Sequence, residues 1–405
     1  MMSQHPDRPG LKESDALFPP ATLGVIGSGQ LGRMFIHAAQ RMGYRAGVLS
    51  ATEETPAAQV AHWMVIGPPD HLPALRAFAE RAEAVTVEFE NVSAPALRWL
   101  ARRRRVRPGW RTLWISQNRL REKRFLARHN VPHAPWHSVR NEAELDDAVR
   151  GLGMPLILKT AASGYDGKGQ ILVETADQAS GAWASLGRSP CVAEGWVDFA
   201  AELSVVVARG VDGGAVCYPV ALNRHERHIL DTTLMPAPVG PIVAREARGL
   251  ALTVAQALET VGVLTVEFFL TADGQLMVNE IAPRPHNSGH LTIEAAIASQ
   301  FEQQVRALCG LALGPTDLVM PAAMVNLLGD LWALAGGEPR WDDALAVDPG
   351  VMLHLYGKRT PATGRKMGHL TVLDPDPEAA LYRALAARQA LVAGHRISQF
   401  LVISS

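Results

Sequence analysis

Two carboxylates, Glu267 and Glu280, lie in a stretch built to bring them together. Residues 266–290 read VEFFLTADGQLMVNEIAPRPHNSGH. Strand-like runs at 264–270 and 276–281 flank Asp273-Gly274, a pair that favours a two-residue type I′ hairpin turn. With that turn, Glu267 faces Glu280 on one side of the sheet. Opposed carboxylates repel each other. A divalent cation between them turns the repulsion into attraction, and Mg²⁺ takes one or two carboxylates while keeping substrate phosphates as further ligands. Asn279 offers an amide oxygen beside them. The competing reading is two acids on a solvated sheet face; the apolar flanks and the His- and Arg-rich continuation weigh against it.

A second group could hold a phosphate chain. Residues 154–159 (MPLILK) form a strand ending in Lys159, followed by TAASGYDGKGQ and a further strand at 171–174. Gly164, Gly167 and Gly169 let several backbone N–H groups lie over an anion, with Lys159 and Lys168 as point charges. The order strand–loop–strand is not that of a Walker P-loop, whose spacing is absent. An ordinary long hairpin loop is the alternative, but long loops inside compact domains are usually functional.

A third group opens the chain. Strand Thr22–Ile26 runs into Gly27-Ser28-Gly29-Gln30-Leu31-Gly32 and then an amphipathic helix to about Met42, with Glu53 and Glu54 some way on. On paper this is the dinucleotide fingerprint. It predicts an anion at the helix N-terminus, or a tight turn without a ligand; the motif alone does not separate them. Residues 84–89 form a buried strand leading to Glu88-Phe89-Glu90-Asn91, acids where open α/β sheets take ligands. Near the other end, Lys358 and Gly364-Arg365-Lys366 bracket a turn and suit an anion, with a solvated basic loop as the rival.

These groups need several units to position them. A chain of 405 residues exceeds one typical core. Composition is that of an ordinary globular protein, and a net charge of −1 gives no support to nucleic acid or a membrane surface as partner. Three scattered cysteines fit a reducing cytoplasm. No apolar run is long enough to span a bilayer. Residues 1–20 read as a mobile tail without a signal-peptide core. The four arginines at 102–105 read as a solvated helix end. Further along, the patterns predict a basic helix at 116–129, strands at 191–197, 202–207 and 215–222, a polar loop at 223–228, and helices at 250–261 and 292–309.

A nucleotide-type first domain, a lysine strand with a glycine-rich loop, a strand leading to a linker and a carboxylate hairpin occur in the order of the ATP-grasp superfamily, which the chain resembles. The segments GSGQLGRM, TPAAQVA, TVEFENV, GYDGKGQ, NEIAPRPHNSGH, SQFEQQVRA and GRKMGH are similar to those of its purine-pathway members that carboxylate 5-aminoimidazole ribonucleotide. The resemblance implies an α/β and α+β architecture: a Rossmann-like domain over 21–115, an ATP-grasp domain over 116–315 with a lid at 161–170, and a small β-rich C-terminal domain over 316–405. It implies ATP, Mg²⁺ (with Mn²⁺ as a substitute) and bicarbonate as co-substrate, a homodimer, and a downstream mutase.

Carried over by resemblance, ATP contacts fall on Arg119, Lys159, Gly164, Tyr165, Asp166, Gly167, Lys168, Gly169, Gln170, Glu194, Gly195, Trp196, Val197, Glu202, His225, Asn279 and Glu280. The metal falls on Glu267 and Glu280. The ribonucleotide falls on Gln30, Leu31, Glu88, Asn287, Ser288, Arg365 and Lys366. Arg284, His286, Tyr165, Asp166 and Lys358 are the candidates for catalysis, Asp166 as a base on the amine. Three rivals stand beside it: a formate-dependent glycinamide ribonucleotide transformylase of the same superfamily, an NAD-dependent oxidoreductase built on the glycine fingerprint, and a non-catalytic binding module that keeps the clamp, against which the retained carboxylates, Lys159 and the loop argue.

Overall fold

The computed structural model describes residues 16–162 and 169–392. Its first sheet is parallel, with strands β1 (Thr22–Ile26), β2 (Arg45–Ser50), β3 (Trp63–Ile66), β4 (Ala84–Val87) and β5 (Arg105–Val106) in the order β3-β2-β1-β4-β5. Such strands read as continuous apolar runs because helices cover both faces. The order reverses between β1 and β4, so their carboxyl ends open a crevice. Residues 27–32 and 88–91 therefore meet. Arg107, just beyond β5, is buried and donates to the carbonyls of Ala307 at 2.7 Å and Leu308 at 3.0 Å. A cation at the last turn of helix Gln300–Cys309 is favourably placed, and it ties this sheet to the rest.

The second sheet is antiparallel, with β6 (Trp136–Val139), β7 (Leu156–Thr160), β8 (Gln170–Val173) and β9 (Cys191–Gly195) in the order β6-β9-β7-β8. Helices Glu142–Leu152 and Ala179–Ser185 bury Leu145, Ala148 and Trp183 against it. Helix Arg119–Arg128 sets Leu120 against Ala161 and Val192.

The third sheet holds β10 (Phe199–Arg209), β11 (Ala215–Cys217), β12 (Ala221–Glu226), β13 (Ile229–Met235), β14 (Gly262–Thr271), β15 (Leu276–Ala282), β16 (Ala322–Leu328), β17 (Met352–Leu355) and β18 (Lys366–Leu373). The order is β15-β14-β10-β12-β13-β16-β18-β17, with β11 beside β10. The C-terminal strands thus continue the sheet that carries the carboxylate hairpin.

Several elements differ from expectation. The strand expected over 215–222 is two strands, because Pro219 has no N–H for the ladder. The polar loop expected over 223–228 is mostly strand: Asn223 pairs with Thr233 and His225 with Leu230, leaving only Arg227 and His228 in the turn. Its polar residues reflect a strand facing a cavity. The helix expected over 292–309 breaks at 296–299, where Ser299 Oγ accepts the Glu302 N–H at 3.1 Å and starts helix Gln300–Cys309 anew. The basic helix starts at Arg119, where the Asn118 side chain accepts the Arg121 N–H at 3.2 Å. All three cysteines are free and buried. Among the described residues no helix is long and apolar enough to cross a membrane.

Candidate active site

Glu267 and Glu280 are direct cross-strand partners, but the expected two-residue turn does not bring them there. The Thr271 N–H donates to the Gln275 carbonyl at 3.0 Å, and Gly274 to Thr271 at 3.0 Å. The loop is therefore three residues, Ala272-Asp273-Gly274. Gly274 takes φ 86°, the left-handed conformation this wider loop ends on. Thr271 Oγ1 favours it by accepting the Gln275 N–H at 3.0 Å. From this loop Leu270 pairs with Leu276 and Phe268 with Val278. That register would set Asn279, not Glu280, opposite Glu267. A bulge at Asn279 absorbs the extra residue and restores the acidic pair.

The bulge also turns Asn279 into the same cavity as Glu280. That cavity has a volume of about 850 Å³ and is walled by all three sheets. The Asn279 Oδ1 is buried without a hydrogen-bond partner among the described residues. Two carboxylates and an orphaned amide oxygen are hard donors, the set that fits Mg²⁺. No cluster of three or more His, Cys, Asp or Glu among the described residues could hold a metal by itself. Substrate phosphates would have to complete the shell.

One end of the cavity is lined by Arg119, Lys159, Gln170, Trp196, Glu202 and His225. Lys159 Nζ lies 2.8 Å from Glu194 Oε2, and Lys123 Nζ lies 3.3 Å from Oε1 of the same carboxylate. Burial works against the charge of Glu194, but the two lysines overcome it and hold the carboxyl at about 2. Burial pushes the Lys159 ammonium down from its usual range. Arg119 Nη1 lies 3.5 Å from Glu280 Oε2. Glu202 Oε2 lies 2.7 Å from His225 Nδ1, and this contact raises the imidazole's proton affinity against the effect of burial.

The other end is lined by Gln30, Leu31, Glu88, Arg284, His286, Asn287 and Lys366. Arg284 Nε donates to Glu90 Oε2 at 2.6 Å. Burial works against this pair, and mutual attraction holds Glu90 below and Arg284 above their ordinary values. His286 Nε2 lies 2.8 Å from Glu267 Oε1. Burial opposes the charge of Glu267 as well, yet the contact with His286 first, then His225 and Arg284, hold it below the ordinary carboxylate range. Asn287 exchanges reciprocal amide hydrogen bonds with Asn326, at 3.1 and 2.9 Å.

Other predicted residues stand elsewhere. Gly164, Tyr165, Asp166, Gly167 and Lys168 lie outside the described residues. Gly169 is described but does not line the cavity, nor do Gly195 and Val197. The Glu194 carboxylate is buried under the cavity with its lysines. Ser288 is fully buried, its hydroxyl taken by Ser204 and His286. Lys358 donates to the Lys366 carbonyl at 2.5 Å, and Arg365 to the Thr360 carbonyl at 2.7 Å, both off the cavity wall. Glu54 pairs with Arg359 at the surface and does not line the cavity.

The cavity also holds Glu90, at the strand end where acids were expected to meet a ligand, and residues that local patterns did not single out: Glu122, Arg227, His228, Phe269 and His290. Glu122 accepts the Ile281 N–H at 3.2 Å, and burial, then the Glu280 charge, push its carboxyl up to about 8. Its signal was available. An apolar-facing acid in the first turn of an otherwise basic helix needs a buried partner.

Three family models match the chain: a ribonucleotide synthetase preATP-grasp domain over residues 20–117, an ATP-grasp domain over 124–301, and a phosphoribosylaminoimidazole carboxylase C-terminal domain over 322–383. The N5-carboxyaminoimidazole ribonucleotide synthase of Bacillus subtilis (strain 168) is 42% identical over 363 residues, 89% of this chain and 94% of that protein. The Brucella melitensis protein of the same name is 41% identical over 365 residues, 90% and 99% of the two chains. Among solved structures, the ADP complex of an N5-carboxyaminoimidazole ribonucleotide synthetase superposes with a TM-score of 0.87 at 40% identity, covering 92% of this chain and 98% of that one. The Aspergillus clavatus enzyme in complex with ADP and 5-aminoimidazole ribonucleotide gives 0.84 at 30% identity, covering 94% and 99%. By sequence and by fold, the chain belongs to the N5-carboxyaminoimidazole ribonucleotide synthase family of ATP-grasp ligases.

Proposed function

We propose that this cavity carboxylates 5-aminoimidazole ribonucleotide on its exocyclic amine, using ATP and bicarbonate and releasing ADP and phosphate, a step of purine biosynthesis. The observation that carries the reading is the Glu267–Glu280 pair with the orphaned Asn279 oxygen. It stands between an end that holds Arg119 and Lys159 and an end that holds Arg284, His286 and Lys366.

Phosphoryl transfer needs positioning and charge neutralisation more than covalent help. Lys159 and Arg119 would offset the charge of the nucleotide phosphates. Glu202, oriented by His225, would accept the ribose hydroxyls. Because the Glu194 side chain is committed to its lysines, the stretch 194–197 would offer backbone groups to the base, with Trp196 beside it. Glu267, Glu280 and Asn279 would hold Mg²⁺, which when bound neutralises the β- and γ-phosphates and keeps them in line. Arg284 and His286 would bind bicarbonate and then carboxyphosphate. Gln30, Leu31, Glu88, Asn287 and Lys366 would receive the ribonucleotide, with Lys358 and Arg365 at its phosphate. The loop at 161–170, with Tyr165 and Asp166, would close over the labile intermediate and exclude water. A homodimer in the cytoplasm, supplying a downstream mutase, belongs to the same proposal and rests on the resemblance.

Phosphate release on mixing the protein with ATP, bicarbonate and 5-aminoimidazole ribonucleotide, omitting each in turn, tests the reading. Release should require the ribonucleotide. Release supported instead by glycinamide ribonucleotide and formate would overturn it.

A further inference from the structure

Beneath the cavity, the third sheet buries a row of polar side chains where a sheet interior is ordinarily apolar. Thr233 and Ser288 are fully buried, Ser204 is 1% exposed and Asn223 5%. Burying such groups costs free energy unless every one is satisfied. Here each contact hands on to the next. Thr233 Oγ1 is 3.1 Å from Asn223 Oδ1, Asn223 Nδ2 is 2.9 Å from Ser204 Oγ, and Ser204 Oγ is 2.8 Å from Ser288 Oγ. Ser288 Oγ is in turn 2.9 Å from His286 Nδ1. Thr233 and Asn223 are cross-strand partners, as are Ser204 and Glu267. The row therefore runs from β13 across β12 to β10, next to the strand of Glu267.

The direction of this row is set at its end. The backbone N–H of Ser288 lies 3.3 Å from His286 Nδ1. A backbone N–H can only donate, so Nδ1 accepts. The Ser288 hydroxyl then donates to Nδ1 and accepts from Ser204; Ser204 accepts from the Asn223 amide, whose oxygen accepts from Thr233. With its Nδ1 lone pair engaged, a neutral imidazole carries its proton on Nε2, which faces Glu267 Oε1 at 2.8 Å. Gln300 holds the backbone of the same residue from the other side: its Oε1 accepts the His286 N–H at 2.9 Å, and its Nε2 donates to the His286 carbonyl at 2.7 Å.

We propose that Thr233, Asn223, Ser204 and Ser288 are positioning residues that lock His286 as the Nε2–H tautomer, so that it serves the reaction as a hydrogen-bond donor. The donor role rests on the function proposed above; the tautomer does not.

The test uses the full chain labelled with ¹⁵N-histidine. Long-range ¹H–¹⁵N spectra, with His286 assigned by its loss in His286→Asn, should show an unprotonated Nδ1 and a protonated Nε2. Asn223→Asp nearly keeps the shape but cannot donate to Ser204, and Ser204→Ala cuts the row. In each, kcat should fall about tenfold, as for other residues that orient a site's ligands. KM for ATP should stay unchanged, and the His286 signals should move toward a mixture of tautomers. A protonated Nδ1 in the unmodified protein overturns the proposal, whether or not the variants fold. So do folded variants with unchanged kcat and tautomer. A protein with the expected tautomer but no ribonucleotide-dependent turnover overturns the donor's role together with the proposed function, and leaves the lock as found.

Discussion

Glu88 takes the backbone N–H of Gly32 at 2.7 Å on one carboxylate oxygen, with the N–H of Gly29 on the other. The anion position at the start of helix Gln30–Arg41 is thus filled by the chain's own side chain. Gly27 makes room for it: φ is 103°, and a Cβ there would stand 2.4 Å from Glu88 Cγ. The glycine fingerprint is explained without a dinucleotide.

Glu88→Ala should therefore strip two N–H groups of their acceptor and lower stability by about 1–2 kcal/mol. It should also open a site for a small anion. Phosphate or sulfate should raise Tm in the variant more than in the parent, measured by thermal unfolding. The parent should show no NADH binding by fluorescence titration. Tight NADH binding to the parent would mean that Glu88 is readily displaced.

Glu280→Gln should remove the Mg²⁺-dependent phosphate release, by about a thousandfold, from the charge neutralisation a metal supplies. The fold should survive. Glu280 is partly exposed and its 3.5 Å contact with Arg119 is of a kind worth about 0–1 kcal/mol. Turnover titrated against Mg²⁺, with circular dichroism alongside, checks both halves. Turnover near the parent's value would remove Glu280 from the metal site.

That acidic pair also marks how far local reading reaches. Its two residues were legible as chemistry, yet the expected register was reached by an unforeseen route. A loop one residue longer than expected is offset by a bulge at Asn279, and neither has a local signature as strong as Asp-Gly. The parallel first sheet was legible because its strands are continuous apolar runs. β12 was not, because polarity normally marks a loop and here marks a cavity wall. Glu90 and Arg284 meet across 194 positions, and no spacing rule connects residues that far apart. The buried row behind His286 was hidden for the same reason.

Glu194 gives the protein a defined acid sensitivity. Its carboxyl is held at about 2, from an ordinary value of 4.5, by Lys159 and Lys123. A folded-state pKa below the unfolded one stabilises the fold above the unfolded value, and this is lost as pH falls through the folded one. The urea midpoint should therefore decline from about pH 5 down through about pH 2. Glu194→Gln should be less stable near neutrality by about 3–5 kcal/mol, since it leaves two buried ammonium groups without a counter-charge. Its midpoint should change less across that acid window. A parallel decline in both proteins would assign the acid limb to other carboxylates.

The turn between β12 and β13 carries the remaining prediction. Arg227 at φ 50° and His228 at φ 64° are its two central residues, between the paired Glu226 and Ile229. A two-residue turn with both φ values positive is normally Asn-Gly, because a Cβ in that conformation costs about 1 kcal/mol or more. Replacing Arg227 by Asn together with His228 by Gly should therefore stabilise the protein by about 1–2 kcal/mol, read as a higher urea midpoint. Both side chains line the cavity, and strained backbone persists where its side chains are used. The same double variant should accordingly raise KM for ATP or for the ribonucleotide while leaving kcat nearly unchanged. A more stable protein with both KM values unaltered would show that the strained turn contributes nothing to binding.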